Sequence, residues 1–120
     1  MAAEHISPEQ LLPELKEIQA LCDRAGDLLK LNTLGTIEVQ GVELPIHALI
    51  LGNDDPNTPG IGLFGGIHGV ERIGTEVVLA YMHSLIESLS WSPALRDLVN
   101  QMHIVFMPMV NPGGIVKQTR

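Results

Sequence analysis

The chain has 120 residues, 45% of them hydrophobic, so it is long and apolar enough to fold around its own core, and disorder is not expected. Aromatic residues make up only 3%, so aliphatic side chains must form most of that core. The net charge of -7 argues against nucleic acid or an anionic membrane as the main partner, because those surfaces attract Lys and Arg. The single cysteine, Cys22, excludes an internal disulfide.

The first predicted element is a helix. Ser7-Pro8-Glu9-Gln10 combines a capping hydroxyl, a proline at the first helical position and an amide three residues after the cap. Apolar residues then recur at alternating four- and three-residue spacing, which is typical of an amphipathic helix, at Leu11, Leu15, Ile18, Cys22, Ala25 and Leu29. Pro13 either kinks this helix or marks its true beginning. Asn32 to Gly35 indicate its end, so we predict a helical lead-in over residues 1–34 and an α/β part over residues 35–120.

Two segments rich in β-branched and aliphatic residues come next, Thr36 to Val39 and Leu44 to Leu51. The short link Gln40-Gly41 between them predicts an antiparallel pair of strands. Residues 52–60 are a dense cluster of turn-forming residues, and we expect a surface loop there.

The second half of the chain shows a strand–helix–helix–strand pattern. Ile61 to Phe64 and His103 to Met109 are apolar without alternation, as in strands that are covered on both faces. Between them, helical spacing runs from Glu71 to Leu89, and Ser92-Pro93 starts a shorter helix. The inward positions predicted for the long helix are Ile73, Val77, Ala80, Tyr81, Ile86 and Leu89. This pattern is a βαβ crossover with parallel strands, so the predicted fold class is α/β.

Two segments should meet at the carboxyl edge of these strands, where open α/β sheets bind their ligands. One is Gly66-Ile67-His68-Gly69-Val70-Glu71, and the other is Asn111-Pro112-Gly113-Gly114. An imidazole nitrogen and a carboxylate oxygen are ordinary zinc ligands, and His68 and Glu71 are spaced to face one point. A His-x-x-Glu also arises by chance in about one chain in four at ordinary residue frequencies. The position after a strand and two glycines favours the metal site.

These two segments resemble motifs of the zinc carboxypeptidase family. The resemblance is carried by Gly65-Gly66-Ile67-His68-Gly69-Val70-Glu71-Arg72 and by Met107-Pro108-Met109-Val110-Asn111-Pro112-Gly113-Gly114, and it covers about Thr36 to Arg120. It implies a three-layer sandwich with a mixed, partly parallel sheet, of which residues 1–120 would be the amino-terminal portion of one catalytic domain. It also implies Zn2+ as the cofactor, with His68 and Glu71 as two of three protein ligands.

The resemblance also implies an arginine, shortly after the second segment, that polarises the scissile carbonyl. By position this is Arg120, which is either that catalytic residue or a solvated terminal residue. The family's third ligand, a histidine, lies further downstream, as do its general-base glutamate and the Asn-Arg pair that binds the substrate carboxylate. The sequence stops at Arg120 and contains none of them. Val70 departs from the digestive members, which often have arginine there, so substrate contacts at this position must differ.

The remaining histidines do not complete the site in this interpretation. His103 lies about 20 Å from the carboxyl end of its predicted strand, and His83 about 18 Å along the helix from Glu71. His47 lies inside a predicted strand and His5 near the terminus. We therefore expect a two-ligand site.

The resemblance implies zinc-dependent hydrolysis of a peptide or amino-acid amide bond, and we expect the 120-residue chain itself to be inactive. One alternative is an N-acyl amino acid deacylase of the aspartoacylase and succinylglutamate desuccinylase type, which shares the Gly-x-His-Gly-x-Glu turn. Another is a non-catalytic binding module on the same fold. The expected partners are a peptide or amino-acid conjugate as substrate, and a second copy of the chain through an exposed sheet edge at Ile104 to Met107. Because neither a leader nor a membrane span is evident, we expect a cytoplasmic protein.

Overall fold

A computed structural model describes residues 6–120. Within that range the α-helices are α1 (Pro8–Leu11), α2 (Glu14–Ala25), α3 (Ile73–Trp91), α4 (Pro93–Val99) and α5 (Pro112–Lys117). The strands are β1 (Leu29–Val39), β2 (Val42–Gly52), β3 (Gly60–Phe64) and β4 (His103–Met107). None of the helices in this range has both the length and the apolar character needed to cross a membrane.

The strands form one mixed sheet in the order β1-β2-β4-β3. β2 pairs antiparallel with both β1 and β4, whereas β3 pairs parallel with β4. The parallel pair is connected through α3 and α4, which is the predicted βαβ crossover. The predicted α/β class with a mixed, partly parallel sheet is therefore confirmed.

The link between β1 and β2 is a two-residue turn. Gln40 and Gly41 have φ angles of 53° and 76°, the positive pair that a type I′ turn requires, and Val39 pairs with Val42. Strand β1, however, begins at Leu29 rather than Thr36, so the predicted helical lead-in over residues 1–34 is too long. The helix ends at Ala25, and Gly26 has a φ of 57°. Residues 29–33 pair with the second half of β2, and this pairing satisfies backbone groups that a longer helix would have paired internally.

Pro13 marks the true beginning of the main lead-in helix. The short helix α1 ends at Leu11, and Pro13 is the N-cap of α2. The proline ring fixes its own φ and removes a backbone donor, so it is tolerated at a helix start but not inside a helix. The apolar stripe continues across this break, and Leu12, Leu15, Ile18 and Leu21 are buried.

The long helix α3 turns a different face to the core from the one predicted. Ile86 and Leu89 are buried as expected, but Ile73, Val77 and Tyr81 are 70%, 60% and 50% exposed, and Ala80 is exposed as well. The buried positions on this helix are Thr75, Val78, Leu79, Met82, Ile86 and Leu89. Apolar residues lie on nearly every side of α3, so their spacing does not define which side packs inward.

Strand β4 lies inside the sheet, and the prediction of an open edge at Ile104 to Met107 is wrong. It is flanked by β2 on one side and β3 on the other, and Ile104 and Phe106 are buried in the core. The edge of the sheet on this side is β3. Apolar composition marks a strand as buried, but it cannot tell a central strand from an edge strand that another element covers.

Candidate functional site

The loops that follow β3 and β4 are joined by backbone hydrogen bonds. Gly65 donates its N–H to the Met107 carbonyl (2.8 Å), and its own carbonyl accepts from Val110 N–H (2.9 Å). Asn111 N–H donates to the Gly66 carbonyl, also at 2.9 Å. Since β3 and β4 are parallel neighbours, their carboxyl ends place the two loops at the same rim, as predicted from the topology.

The Asn111 side chain links the two loops a second time. Its amide nitrogen donates to the Ile67 carbonyl (3.3 Å), while its amide oxygen accepts from Gly114 N–H (2.9 Å) as the N-cap of α5. One side chain therefore caps a helix and holds the residue directly before His68. Asparagine suits this position because it carries both an amide donor and a carbonyl acceptor.

Two glycines make the close contact between these loops sterically feasible. Gly66 has a φ of 66°, and a Cβ there would lie 3.1 Å from the Pro108 carbonyl oxygen of the second loop and 2.7 Å from the Thr75 hydroxyl of α3. Gly69 lies directly against the backbone of Gly114, where a Cβ would overlap the carbonyl group. The glycines around His68 therefore permit backbone contact in addition to a sharp turn.

His68 and Glu71 are the two ends of one turn. Glu71 N–H donates to the His68 carbonyl (3.0 Å), which places the two Cα atoms within about 7 Å of each other. Both residues are exposed, and both line one open pocket of about 250 Å³ beyond the carboxyl end of β3. The rest of its lining comes from Phe64, the glycine loop and the first turn of α3.

This donor set fits half of a zinc coordination shell. An imidazole and a carboxylate that share one solvent-open pocket are donor types that zinc accepts, and tetrahedral zinc has room for two further ligands. Among residues 6–120 there is no group of three or more His, Cys, Asp or Glu side chains placed to hold a metal ion.

Arg120 is not among the residues that line this pocket. The helix α5 and the left-handed residue Gln118 separate it from the Asn111 turn, and Arg120 itself is exposed. Gln118 lines a neighbouring depression together with Gly69, Val70 and Arg72. The described structure thus brings His68 and Glu71 together and leaves Arg120 outside their pocket.

Three other histidines are engaged elsewhere in the fold. His83 Nε2 lies 3.0 Å from a carboxylate oxygen of Glu17, and His47 Nδ1 lies 3.0 Å from the Thr33 hydroxyl. His103 Nδ1 lies 2.9 Å from the Asn53 carbonyl. His5 falls outside the described residues.

An ion pair beside the pocket has no counterpart in the sequence-based prediction. Arg72, the residue after Glu71, places Nη2 at 3.3 Å from Oε1 of Glu14 on α2. In the sequence, Glu14 is recognisable only as an acidic residue in the first turn of a helix. An acidic residue there interacts favourably with the helix dipole, and this gives no indication of a partner side chain.

Comparison with known proteins gives the same assignment as the motifs. The family model described as zinc carboxypeptidase matches residues 15–120, so the match includes all of α2 after its first residue, Glu14, whereas the motif resemblance did not reach this helix. Carboxypeptidase D of Mus musculus is 35% identical over 92 residues, covering 72% of this chain and 6% of that protein. A protein named inactive metallocarboxypeptidase ECM14 of Ajellomyces capsulatus (strain H143) is 34% identical over 64 residues, covering 53% of this chain and 11% of that protein.

Solved structures share the fold at low sequence identity. A metallo-carboxypeptidase from Burkholderia cenocepacia matches with a TM-score of 0.70 and 19% identity, covering 96% of this chain and 30% of that chain. Thrombin activatable fibrinolysis inhibitor matches with a TM-score of 0.67 and 17% identity, covering 93% of this chain and 27% of that chain. This chain therefore spans less than a third of these structures and a smaller share still of the relatives above. With its family match, its two motifs and its mixed sheet, the chain belongs to the zinc carboxypeptidase family.

Proposed function

We propose that this chain carries part of the zinc site of a metallocarboxypeptidase-type hydrolase, with His68 and Glu71 as two zinc ligands. The observation that carries the proposal is their position at the two ends of one hydrogen-bonded turn, both facing an open pocket at the carboxyl end of β3. The proposed substrate is a peptide or amino-acid conjugate whose amide bond is hydrolysed. The 120-residue chain alone is proposed to be inactive.

The residues around the turn would each have a specific role in that reaction. A zinc ion in such a site supplies Lewis acidity and lowers the pKa of water. His68 and Glu71 would hold that metal, and Asn111 and Gly69 keep their turn against the second loop. Arg120 is proposed to polarise the scissile carbonyl, which requires the segment after α5 to bring it toward the pocket.

A zinc titration followed by NMR on the His68 ring signals, and in every variant on the backbone amide signals of residues 69–71, tests the metal assignment. We expect saturable but weak binding, because two protein ligands leave half of the tetrahedral shell to water. His68→Ala and Glu71→Gln should each abolish this binding. His83→Gln is the matched control, since His83 is also partly exposed but pairs with Glu17 instead. Equal binding by His68→Ala and the wild type would reject the site, and tight binding would reveal a third ligand.

A non-catalytic binding module is the second candidate function. It is favoured by the 34% identity to a protein named inactive metallocarboxypeptidase. The metal content of the purified chain and of any longer protein that contains it separates the candidates, because a module without chemistry need not retain zinc. The N-acyl amino acid deacylase alternative receives no such support, since the matching family model describes zinc carboxypeptidases.

The partner proposals follow from charge and from the sheet. The net charge of -7 continues to argue against nucleic acid and anionic membranes. Self-association through an open sheet edge is proposed at β3 in place of the predicted segment in β4. A cytoplasmic location stays a prediction from the sequence.

A further inference from the structure

The Glu14–Arg72 ion pair is partly buried. The Glu14 side chain is 19% exposed and that of Arg72 is 41% exposed. Glu14 Oε2 and Arg72 Nε are both buried, and neither has a hydrogen-bond partner among the described residues. Arginine favours a two-pronged contact with a carboxylate, and these two atoms are the ones that a second prong between Arg72 and Glu14 would use. Loss of either partner would leave the other, which is only partly exposed, without its counter-charge, and the cost is larger for the more buried Glu14.

This ion pair fixes the end of the turn that carries Glu71. Arg72 is the N-cap of α3, and its carbonyl accepts from Glu76 N–H (3.1 Å). Glu14 belongs to the first turn of α2, which is anchored in the core by Leu15 and Ile18. The backbone that follows Glu71 is thus tied to two helices at once.

The other end of the turn has a different anchor. Asn111 holds the Ile67 carbonyl, one residue before His68. Besides the hydrogen bond that joins them, each proposed ligand therefore has its own anchor, His68 on the β4 side and Glu71 on the α2 side. The separation of their donor atoms depends on both anchors.

We propose that Glu14 and Arg72 are positioning residues for Glu71, and that their ion pair sets the zinc affinity of the site. This proposal rests on the assignment of His68 and Glu71 as zinc ligands. It gives the lead-in helix α2 a role in the metal site, although no residue of α2 lines the pocket.

The test is a double-mutant cycle on zinc affinity, measured from the His68 ring signals. Glu14→Gln and Arg72→Gln should each weaken binding about tenfold, the size of effect seen when a residue that orients a ligand is lost. The double variant should be no weaker than either single variant, because all three lack the same contact. Hydrogen exchange at the Glu71 amide, measured without zinc, should become faster in the same variants.

Two controls separate positioning from general destabilisation. Glu87→Gln removes the Arg24–Glu87 contact (3.9 Å), a second ion pair between α2 and α3 that is distant from the pocket. Ile18→Val loosens the packing of α2 without touching the pair. Both variants should bind zinc like the wild type.

The outcomes distinguish this proposal from the one on which it rests. If zinc binds at His68 but Glu14→Gln binds it as well as the wild type does, the positioning role is wrong and the zinc site stands. Additive losses in the double variant would also overturn the role of the pair. If the wild type and His68→Ala bind zinc equally, the zinc site is wrong, and the positioning proposal fails with it.

Discussion

At Gly69 the two loops of the site touch backbone to backbone, so a single methyl group is a sensitive probe of their contact. In Gly69→Ala the new Cβ would overlap the carbonyl group of Gly114, and neither backbone can give way cheaply. We expect a loss of about 2 kcal/mol or more in the free energy of unfolding, measured by chemical denaturation. Gly35→Ala is the matched control, because no atom lies within 4 Å of its Cβ position. Equal stability of the two variants would contradict this close approach.

His47 gives a pH prediction with a definite sign. Burial lowers the pKa of the His47 imidazole from its usual value of 6.5. As the pH decreases below about 6.5, the unfolded chain therefore binds a proton at His47 before the folded chain does. The free energy of unfolding should decrease with decreasing pH in this range, until the pH lies below the folded pKa as well. Melting temperatures at pH 7.5 and 5.5 should differ less in His47→Gln than in the wild type. An unchanged pH dependence would show that this histidine does not titrate differently on folding.

The residues of the candidate site differ in how visible they are from sequence. His68 and Glu71 were identifiable because their spacing, the glycines before them and the preceding strand all lie within one short stretch. The partnership of Glu14 with Arg72 left no such pattern, since two opposite charges far apart in sequence look like any solvated pair. Only the packing of α2 beside the turn reveals it.

Among the elements, those with local signals were predicted best. The hairpin follows from the Gln40-Gly41 turn, and the parallel pair β3–β4 follows from the crossover pattern. The start of β1 was missed because residues 29–33 gain their strand conformation from pairing with β2. The inward face of α3 was misassigned because its composition is apolar on several sides and the neighbouring helices decide its orientation.

The corrected face of α3 is testable with two truncations on the same helix. Leu79→Ala empties a site that is 2% exposed and should cost about 2–4 kcal/mol in the free energy of unfolding. Val77→Ala changes a largely exposed side chain and should cost less than about 1 kcal/mol. Urea denaturation of both variants measures the difference. A larger loss in the free energy of unfolding for Val77→Ala than for Leu79→Ala would support the inward face predicted from the spacing.

For the molecule as a whole, the open side of the sheet has the largest consequence. Strand β3 pairs only with β4 in the described sheet, and Phe64, Ile73, Val77 and Tyr81 form an exposed apolar surface beside it. Such an edge is self-complementary, because two identical strands can pair antiparallel across a twofold axis. We expect the isolated chain to dimerise at tens of micromolar, as measured by sedimentation.

Charge placed on this surface should prevent the association. Phe64→Lys and Val77→Lys put an ammonium group where the partner strand or helix would pack, and both sites are exposed enough to accept it without unfolding. We expect both variants to sediment as monomers. A wild-type chain that is monomeric and unfolds cooperatively would instead show that this exposed apolar surface does not drive dimerisation.

The sheet order also determines which strands can pair first while the chain is being synthesised. Strands β1 and β2 can pair as soon as β2 has left the ribosome, whereas Gly60 of β3 must wait for His103 of β4. During that interval His68 and Glu71 belong to a nascent segment that has no neighbour in the sheet. Asn111, which holds the Ile67 carbonyl, is synthesised later still, so the turn from His68 to Glu71 can reach its final position only after the second loop has emerged.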